Sequence, residues 1–534
     1  MSAPDPSAFW RSMPPEVRTG LLAASCGQRR LGGLARQALS RPESARLGLD
    51  LALAAWEEAP LDGAAAGFVL DLDARIPFLA PHLRALAGSV RRAWGQPPAG
   101  DPLAALAGRG LVLDLLKGLR GRLRAEPGNL LWRRNLLELA FSLGRLDAAE
   151  EALHAPWPPG LDQLSARCAA DLAFLRGDHA RAAGLYRPAL ALRASRVRLG
   201  RCLLAQGLRE EALAQWRKVL AQAPWRASLA LALHDVREGL DLPGEPPPGR
   251  TAVCLYTCNK APEADRALAS AADSLPDGAC LLALDNGGTD ETPGVFRAWA
   301  ERLGERMEAV RLPVNVGAPA ARNWLAALSA ARGFEFTAYL DDDARLPADW
   351  AGHMGRAVRA YPDAGVWGCK VCDRDFLPRV QNADHHLEES PDPEGGFASP
   401  CADDPDFGQF DSLRPCVSVT GCFHLLRTEL LREQGGFDIR FSPTQYDDLD
   451  HDLRLAARGL PPVYNGHLRV AHAGLSGRSP TRAYQGLSRG NLLKLKAKHP
   501  PEAREALRRE DADRALADLE AKLARLALGN RLTD

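Results

Sequence analysis

No stretch of this chain reaches the roughly 18 uninterrupted apolar residues of a membrane-spanning helix. The opening residues, MSAPDPSAFWRSMPPEVR, show no basic head leading into an apolar run, so no secretory leader is expected. There is no surplus of charge either. Lys+Arg and Asp+Glu both number 67, which leaves no net field to gather nucleic acid or an anionic membrane. A paired disulfide framework is absent too: the 11 cysteines are odd in number, and Cys202, Cys254, Cys280 and Cys422 sit in apolar runs. They read as reduced, buried thiols of a cytoplasmic protein. Cys369-Lys-Val-Cys372 has the spacing of half a zinc site, but Cys401 and Cys416 stand alone, so structural zinc is not expected.

What is present is a long, ordinary globular composition: 534 residues, 46% apolar and 25% charged. That length accommodates about two to four domains with sizeable cores. Abundant Ala, Leu, Arg and Gly associate the chain with a bacterial genome. Pro243-Gly-Glu-Pro-Pro-Pro-Gly249 divides it, because such a run cannot continue a helix. Before it, segments such as Leu136–Leu143 and Ala212–Leu220 carry apolar residues three and four apart, the period of helices. Gly144, Gly177 and Gly207 recur at spacings of 33 and 30, each followed five residues later by Ala149, Ala182 or Ala212. A Gly turn and then a small residue where two helices cross resembles the tetratricopeptide repeat, which pairs helices over about 34 residues. A plain helical bundle is the alternative. This reading gives a helical region 1–125 that cannot be phased, repeats over 126–242, and a linker at 243–250.

Beyond the linker the period changes. Thr251–Thr257, Cys280–Leu284, Met307–Leu312 and Phe336–Leu340 read as strands with helical segments between them. Such alternation builds a mostly parallel, Rossmann-like α/β sheet. Polar clusters follow the strands at Thr257–Lys260, Asp285–Asp290 and Asp341–Asp343, where an open sheet forms its ligand crevice. Asp341 and Asp343 flank one residue at a strand tip and can hold a hard divalent cation. An acidic surface turn is the simpler reading of that triplet alone.

Taken in order, these pieces resemble the family 2 glycosyltransferases of the GT-A fold, over about residues 251–498. The family's opening Thr-x-Asn-Arg looks like Thr257-Cys-Asn-Lys260, with Lys in place of Arg. Its second-strand signature is similar to Asp285-Asn-Gly-Gly-Thr-Asp290, with Gly288 where Ser is commoner. Asn315-Val-Gly317 and Ala321-Arg-Asn323 match its third piece, and Asp341-Asp-Asp343 its DXD metal motif. Gly435-Gly-Phe-Asp438 followed by Asp447-Asp-Leu-Asp-His-Asp-Leu-Arg454 corresponds to its Gly-Gly-Phe-Asp and Glu-Asp-x-Asp-Leu-x-x-Arg stretches, with Asp447 for Glu and His451 for Leu.

The resemblance implies a hexosyltransferase moving a sugar from a nucleotide, most often UDP, to an acceptor hydroxyl with inversion. Asp448 would be the general base, with Asp447 the second candidate. Thr257, Asn259, Asp285, Asn286, Asn315, Gly317, Arg322, Asn323 and Asp341 would form the donor site. Asp341, Asp343 and the late His472 would hold Mn²⁺ or Mg²⁺, and an imidazole ligand favours Mn²⁺. The acidic run also has purely structural readings: Thr444 capping its helix with Asp447 at the third position, and an Asp450–Arg454 helix pair. The basic stretch Arg489–Lys498 is expected to be a solvated face, with cover over the diphosphate as the alternative, residues 499–534 a helical tail, and the loop 373–415 an acceptor-side lid. His385-His386 in that loop is not expected to bind a second metal. The acceptor would be a glycan, a lipid-linked molecule or a protein, as in polysaccharide biosynthesis. The repeats would recruit a partner, and the protein would be cytoplasmic or peripheral at the inner membrane through partners. Two other classes fit parts of the chain: a repeat adaptor with an inactive transferase-like domain, and a nucleotidyltransferase on a similar sheet.

Overall fold

The computed structural model describes residues 6–388, 397–398, 404–474 and 482–530. The chain forms two units, one of Met1–Val236 with Asp404–Gln409, the other of Arg237–Asp403 with Phe410–Asp534.

Every regular element of residues 6–237 is helical. Leu130–Ser142 and Leu146–His154, Asp162–Leu175 and His179–Tyr186, and Arg193–Ala205 and Arg209–Gln222 form three successive helix pairs. Gly144, Gly177 and Gly207 lie between the members of these pairs, with φ of 66°, 78° and 77°. A side chain there would be strained, so glycine ends the first helix of each pair. Ala149, Ala182 and Ala212 are completely buried where the helices cross, as the sequence spacing predicts. The helix Ala45–Glu58, in the part that could not be phased, is joined to the third pair by charge. Arg193 reaches Asp50 at 2.6 Å and Glu57 at 3.0 Å. These partners lie more than 130 residues apart, and no local pattern announces them. Phe407, in the outlying segment of this unit, packs on Phe174 (ring centroids 5.4 Å apart) and beneath the Arg198 guanidinium at 3.7 Å.

The second unit is built on a mixed sheet. β1 (Thr251–Thr257), β2 (Cys280–Asn286), β3 (Met307–Leu312) and β4 (Phe336–Asp341) are parallel in the order β3-β2-β1-β4. The strand Phe423–Arg427 adds antiparallel to β4, Val366–Asp373 antiparallel to that, and Pro462–His472 parallel to Val366–Asp373. Valines, leucines and alanines of β1, β2 and β4 are buried in one core with Trp350, Trp367 and Phe423. Register brings the polar tips into a row: Thr257 pairs with Asp285, and Tyr256 with Asp341. The end of Pro462–His472 pairs with Ala344–Arg345, which sets His472 opposite Ala344. Cys369 and Cys372 are buried three apart on one strand, so they point to opposite faces.

The Pro/Gly stretch at 243–249 is strapped to this unit. Gly244 N–H donates to the Gly352 carbonyl at 3.1 Å, and Arg359 Nη1 donates to that of Pro246 at 3.0 Å. Gly355 permits the approach, because a Cβ there would lie 2.0 Å from the Glu245 oxygen and 2.4 Å from the Pro246 carbonyl carbon. Both are backbone atoms. Gly355→Ala is therefore expected to destabilise this unit by about 1–3 kcal/mol, as overpacking does; a melting temperature unchanged in calorimetry would contradict it. The tail helix Pro501–Asn530 also belongs here: Asp518 accepts a hydrogen bond from Tyr361 Oη at 2.6 Å.

Candidate active site

A cleft of about 690 Å³ opens at the strand tips. Its walls include Asp341, Asp343 and His472 together with Asp447 and Asp448. Of the sequence-predicted residues, Thr257, Asn286, Asn315 and Arg322 also line it, whereas Asn259, Asp285, Gly317 and Asn323 do not.

Asp341, Asp343 and His472 bring one ligand atom each within 4.8 Å of one another. His472 Nε2 lies 3.0 Å from Asp343 and 3.9 Å from Asp341. On the other side of the ring, Nδ1 is 3.0 Å from Gln381 Oε1, and Gln381 Nε2 donates to the His472 carbonyl at 2.8 Å. With Nδ1–H donating to Gln381 Oε1, Nε2 faces the carboxylates: it can donate a proton to Asp343, or, once that proton is lost, offer its lone pair to a cation, the arrangement a metal-binding imidazole needs. The electrostatics show the same demand for a cation. Burial pushes the Asp341 carboxyl up to about 6, although Arg322 opposes it. Burial works against protonating His472, but the hydrogen bond and charge of Asp343 hold the ring above its usual value.

Asp342 has a different task. It accepts hydrogen bonds from Thr257 Oγ1 at 2.7 Å and Lys260 Nζ at 2.9 Å, so it clamps the β1 loop to the end of β4. Asn259 holds the next tip: in the left-handed region at φ 58°, it accepts from Thr289 N–H at 2.7 Å. Asp285 is buried beneath that turn, accepting Gly288 N–H at 2.8 Å with Arg311 at 3.3 Å. Asn286 accepts Val316 N–H at 3.0 Å and donates to Asn315 at 3.0 Å, and Asn315 accepts Gly317 N–H at 2.8 Å. Asn323 receives Phe437 N–H at 2.7 Å and donates to the Phe437 carbonyl at 2.8 Å. Asn286 and Asn315 thus line the cleft while bracing each other, and Asn259 and Asn323 hold backbone outside its lining.

The two aspartates that open the helix Asp447–Ala456 are held differently. Asp447 is buried and paired with Arg322 at 2.8 Å, and burial pushes its carboxyl up to about 6 against that charge. Asp448 accepts Gly421 N–H at 2.8 Å and, on its other oxygen, Leu449 N–H at 2.8 Å. A carboxylate has about four acceptor positions, so two stay available. The helix starts after two non-glycine residues in the left-handed region, Gln445 (φ 82°) and Tyr446 (φ 70°). Such conformations persist where the surrounding structure enforces them, often at functional sites.

Two expectations are overturned here. Thr444 does not cap the helix; Tyr446 holds the N-cap position and makes no side-chain cap. The basic stretch is not simply solvated: Lys498 donates to Asp438 at 2.7 Å and Asp450 at 2.8 Å, and Lys494 donates to the Arg440 carbonyl at 2.8 Å. The Asp450–Arg454 pair is present at 3.1 Å. His386 is packed between Asp384 (3.0 Å) and Asp511 (2.9 Å) with Arg414 beside it, an ion-paired strut. Part of the loop 373–415 lies outside the described residues. Gln381 and Gly421 were not anticipated, since the partners that give them a role are 91 and 27 residues away.

Residues 252–433 match the family model described as Glycosyl transferase family 2. This unit carries a family 2 glycosyl transferase domain. The α/β sheet of the domain has the GT-A arrangement, preceded in the chain by the all-helical region. Over 201 residues the chain is 26% identical to "O-antigen biosynthesis protein RfbC" of Myxococcus xanthus. That match covers 36% of this chain and only 14% of the length of the relative. Among solved structures, a mannosyltransferase, PcManGT from Pyrobaculum calidifontis, in complex with GDP-Man and Mn²⁺, is 22% identical with a TM-score of 0.35, over 60% of this chain and 92% of that one. GalNAc-T7 with UDP, GalNAc and Mn²⁺ is 12% identical with a TM-score of 0.35, over 42% and 43% of the two chains. Among the described residues, no helix is long and apolar enough to cross a membrane.

Proposed function

We propose that the family 2 domain is a metal-dependent, inverting glycosyltransferase that takes a sugar from a nucleoside diphosphate and gives it to an acceptor hydroxyl. The observation that carries this reading is the sharing of one cleft by Asp341, Asp343 and His472 and by Asp448. Two carboxylates and one imidazole with a fixed tautomer suit Mn²⁺, and Mg²⁺ less well. When bound, the cation supplies Lewis-acid neutralisation of charge on the leaving diphosphate. Thr257, Asn286, Asn315 and Arg322 line the donor side, and the hydrogen bond between Asn286 and Asn315 braces that wall. UDP-sugars are the first donors to test.

Asp448 is the general base of this reading. Its two backbone hydrogen bonds fix the carboxylate while leaving positions to receive a proton. Asp447 suits the task less, because its partner Arg322 cannot give up its charge. Attack by the acceptor oxygen on the anomeric carbon, with the diphosphate leaving from the opposite face, inverts that centre. The partial match to an O-antigen biosynthesis protein favours a glycan or lipid-linked acceptor, with the helical repeats recruiting the acceptor or a protein partner.

The adaptor reading is disfavoured because an inactive domain has no use for both acidic sets in one cleft. The decisive experiment is a donor screen: purified full-length protein with Mn²⁺ and a panel of UDP-, GDP- and dTDP-sugars, scored for nucleoside diphosphate release. Release from one donor, abolished by EDTA and restored by Mn²⁺, is the expected outcome. No release from any donor would favour the adaptor, and release insensitive to EDTA would remove the metal.

A further inference from the structure

From the segment between Arg379 and Leu387, the side chains of Gln381, Asn382 and His385 line the cleft. Near the start of the segment, Gln381 holds His472. Near its end, His385 forms part of the cleft wall with Asp448 and Gly421. The backbone of His385 is fixed by a two-way bridge: its N–H donates to the Ser418 carbonyl at 3.0 Å, and its carbonyl accepts from Val417 N–H at 2.9 Å. Its neighbour His386 is locked into the buried Asp384–Asp511–Arg414 cluster. Successive residues of extended chain point to opposite faces, so anchoring His386 inward turns His385 toward the cleft. Ser418, the bridge partner, is itself held by Asp452 at 2.8 Å.

The backbone of His385 is thus held by two hydrogen bonds, yet its buried Nδ1 has no hydrogen-bond partner among the described residues. A buried polar atom left unpaired is costly and calls for an explanation. Burial holds the imidazole below its usual pKa, with the Asp448 carboxylate foremost among the charges opposing it. The ring is therefore neutral near pH 7, able to donate at one nitrogen and accept at the other.

We infer that His385 binds the attacking hydroxyl, of the acceptor or of water, and holds it for Asp448. This inference rests on the glycosyltransferase reading of the cleft. In the step it serves, the hydroxyl oxygen forms a bond to the anomeric carbon while the bond from that carbon to the diphosphate oxygen breaks. The electron pair leaves with the diphosphate, and the hydroxyl proton passes to Asp448. His385 gains and loses no proton overall; it fixes the direction of the oxygen lone pair.

The test needs no knowledge of the natural acceptor, because water serves as nucleophile in slow donor hydrolysis. Full-length protein, His385→Ala and His385→Gln are compared with Mn²⁺ and the donor that the unsubstituted protein hydrolyses. His385→Ala is expected to lower kcat about 10- to 100-fold with little change in donor KM, in nucleoside diphosphate affinity by calorimetry, or in melting temperature. His385→Gln, which keeps a hydrogen-bonding group, is expected to recover most of the loss. Unchanged kcat in His385→Ala, or equal damage to kcat and nucleotide affinity, would overturn the inference while leaving the reading of the cleft intact. No hydrolysis by the unsubstituted protein would overturn that reading and this inference with it.

Discussion

Asp343→Ala is expected to reduce nucleotide-sugar turnover to background while the melting temperature of the domain stays close to that of the unsubstituted protein. The carboxylate is buried at a strand tip among other acidic groups. Removing it relieves like-charge repulsion as well as taking away a bond to His472, so the fold loses little. The chemistry loses more, because a metal site reduced from three protein ligands to two holds the cation weakly. Losing Lewis-acid help to the leaving diphosphate costs on the order of several kcal/mol of barrier. Added Mn²⁺ should therefore rescue the variant only in part, and Mn²⁺ binding measured by calorimetry should weaken in parallel. Wild-type-like turnover in Asp343→Ala, with EDTA also without effect, would eliminate the metal from the mechanism.

The second large effect is expected at Asp448. Asp448→Asn keeps the size of the side chain and can keep one of the two backbone hydrogen bonds, but it cannot take a proton. Turnover should fall about 10²- to 10⁴-fold, the usual contribution of a positioned general base, and donor affinity should survive. Asp447→Asn makes the informative comparison. It leaves Arg322 without its 2.8 Å partner and should weaken the fold of the cleft wall, seen as a lower melting temperature with a smaller loss of kcat. The reverse ranking, with Asp447→Asn the slower enzyme and Asp448→Asn nearly normal, would move the base by one residue.

How the two positions came to be distinguishable shows where sequence stopped. The placement of strands β1 to β4 along the chain, the end of β4 at the aspartates and the glycine-to-alanine spacing of the helix pairs are local properties. They follow from residue period and from the backbone freedom of glycine at Gly144, Gly177 and Gly207, and the structure has them where the sequence pattern puts them. The amides Asn259 and Asn323 carried the same local signal as the cleft-lining Asn286 and Asn315. Only the fold separates them, because a short polar side chain near a turn hydrogen-bonds whichever backbone the tertiary structure brings close.

The polar types at the strand ends, and so the kind of chemistry open to this chain, were determined by the sequence alone. Tertiary structure decided which of them meet. His472 reaches Asp343 because its strand ends against Ala344–Arg345, a pairing across more than 120 residues. Asp447 and Asp448 are adjacent and indistinguishable as letters. Arg322 takes one and a backbone N–H of Gly421 the other, and a carboxylate's role is set by the charge and hydrogen bonds around it. Those partners come from other elements, so no window of sequence contains them.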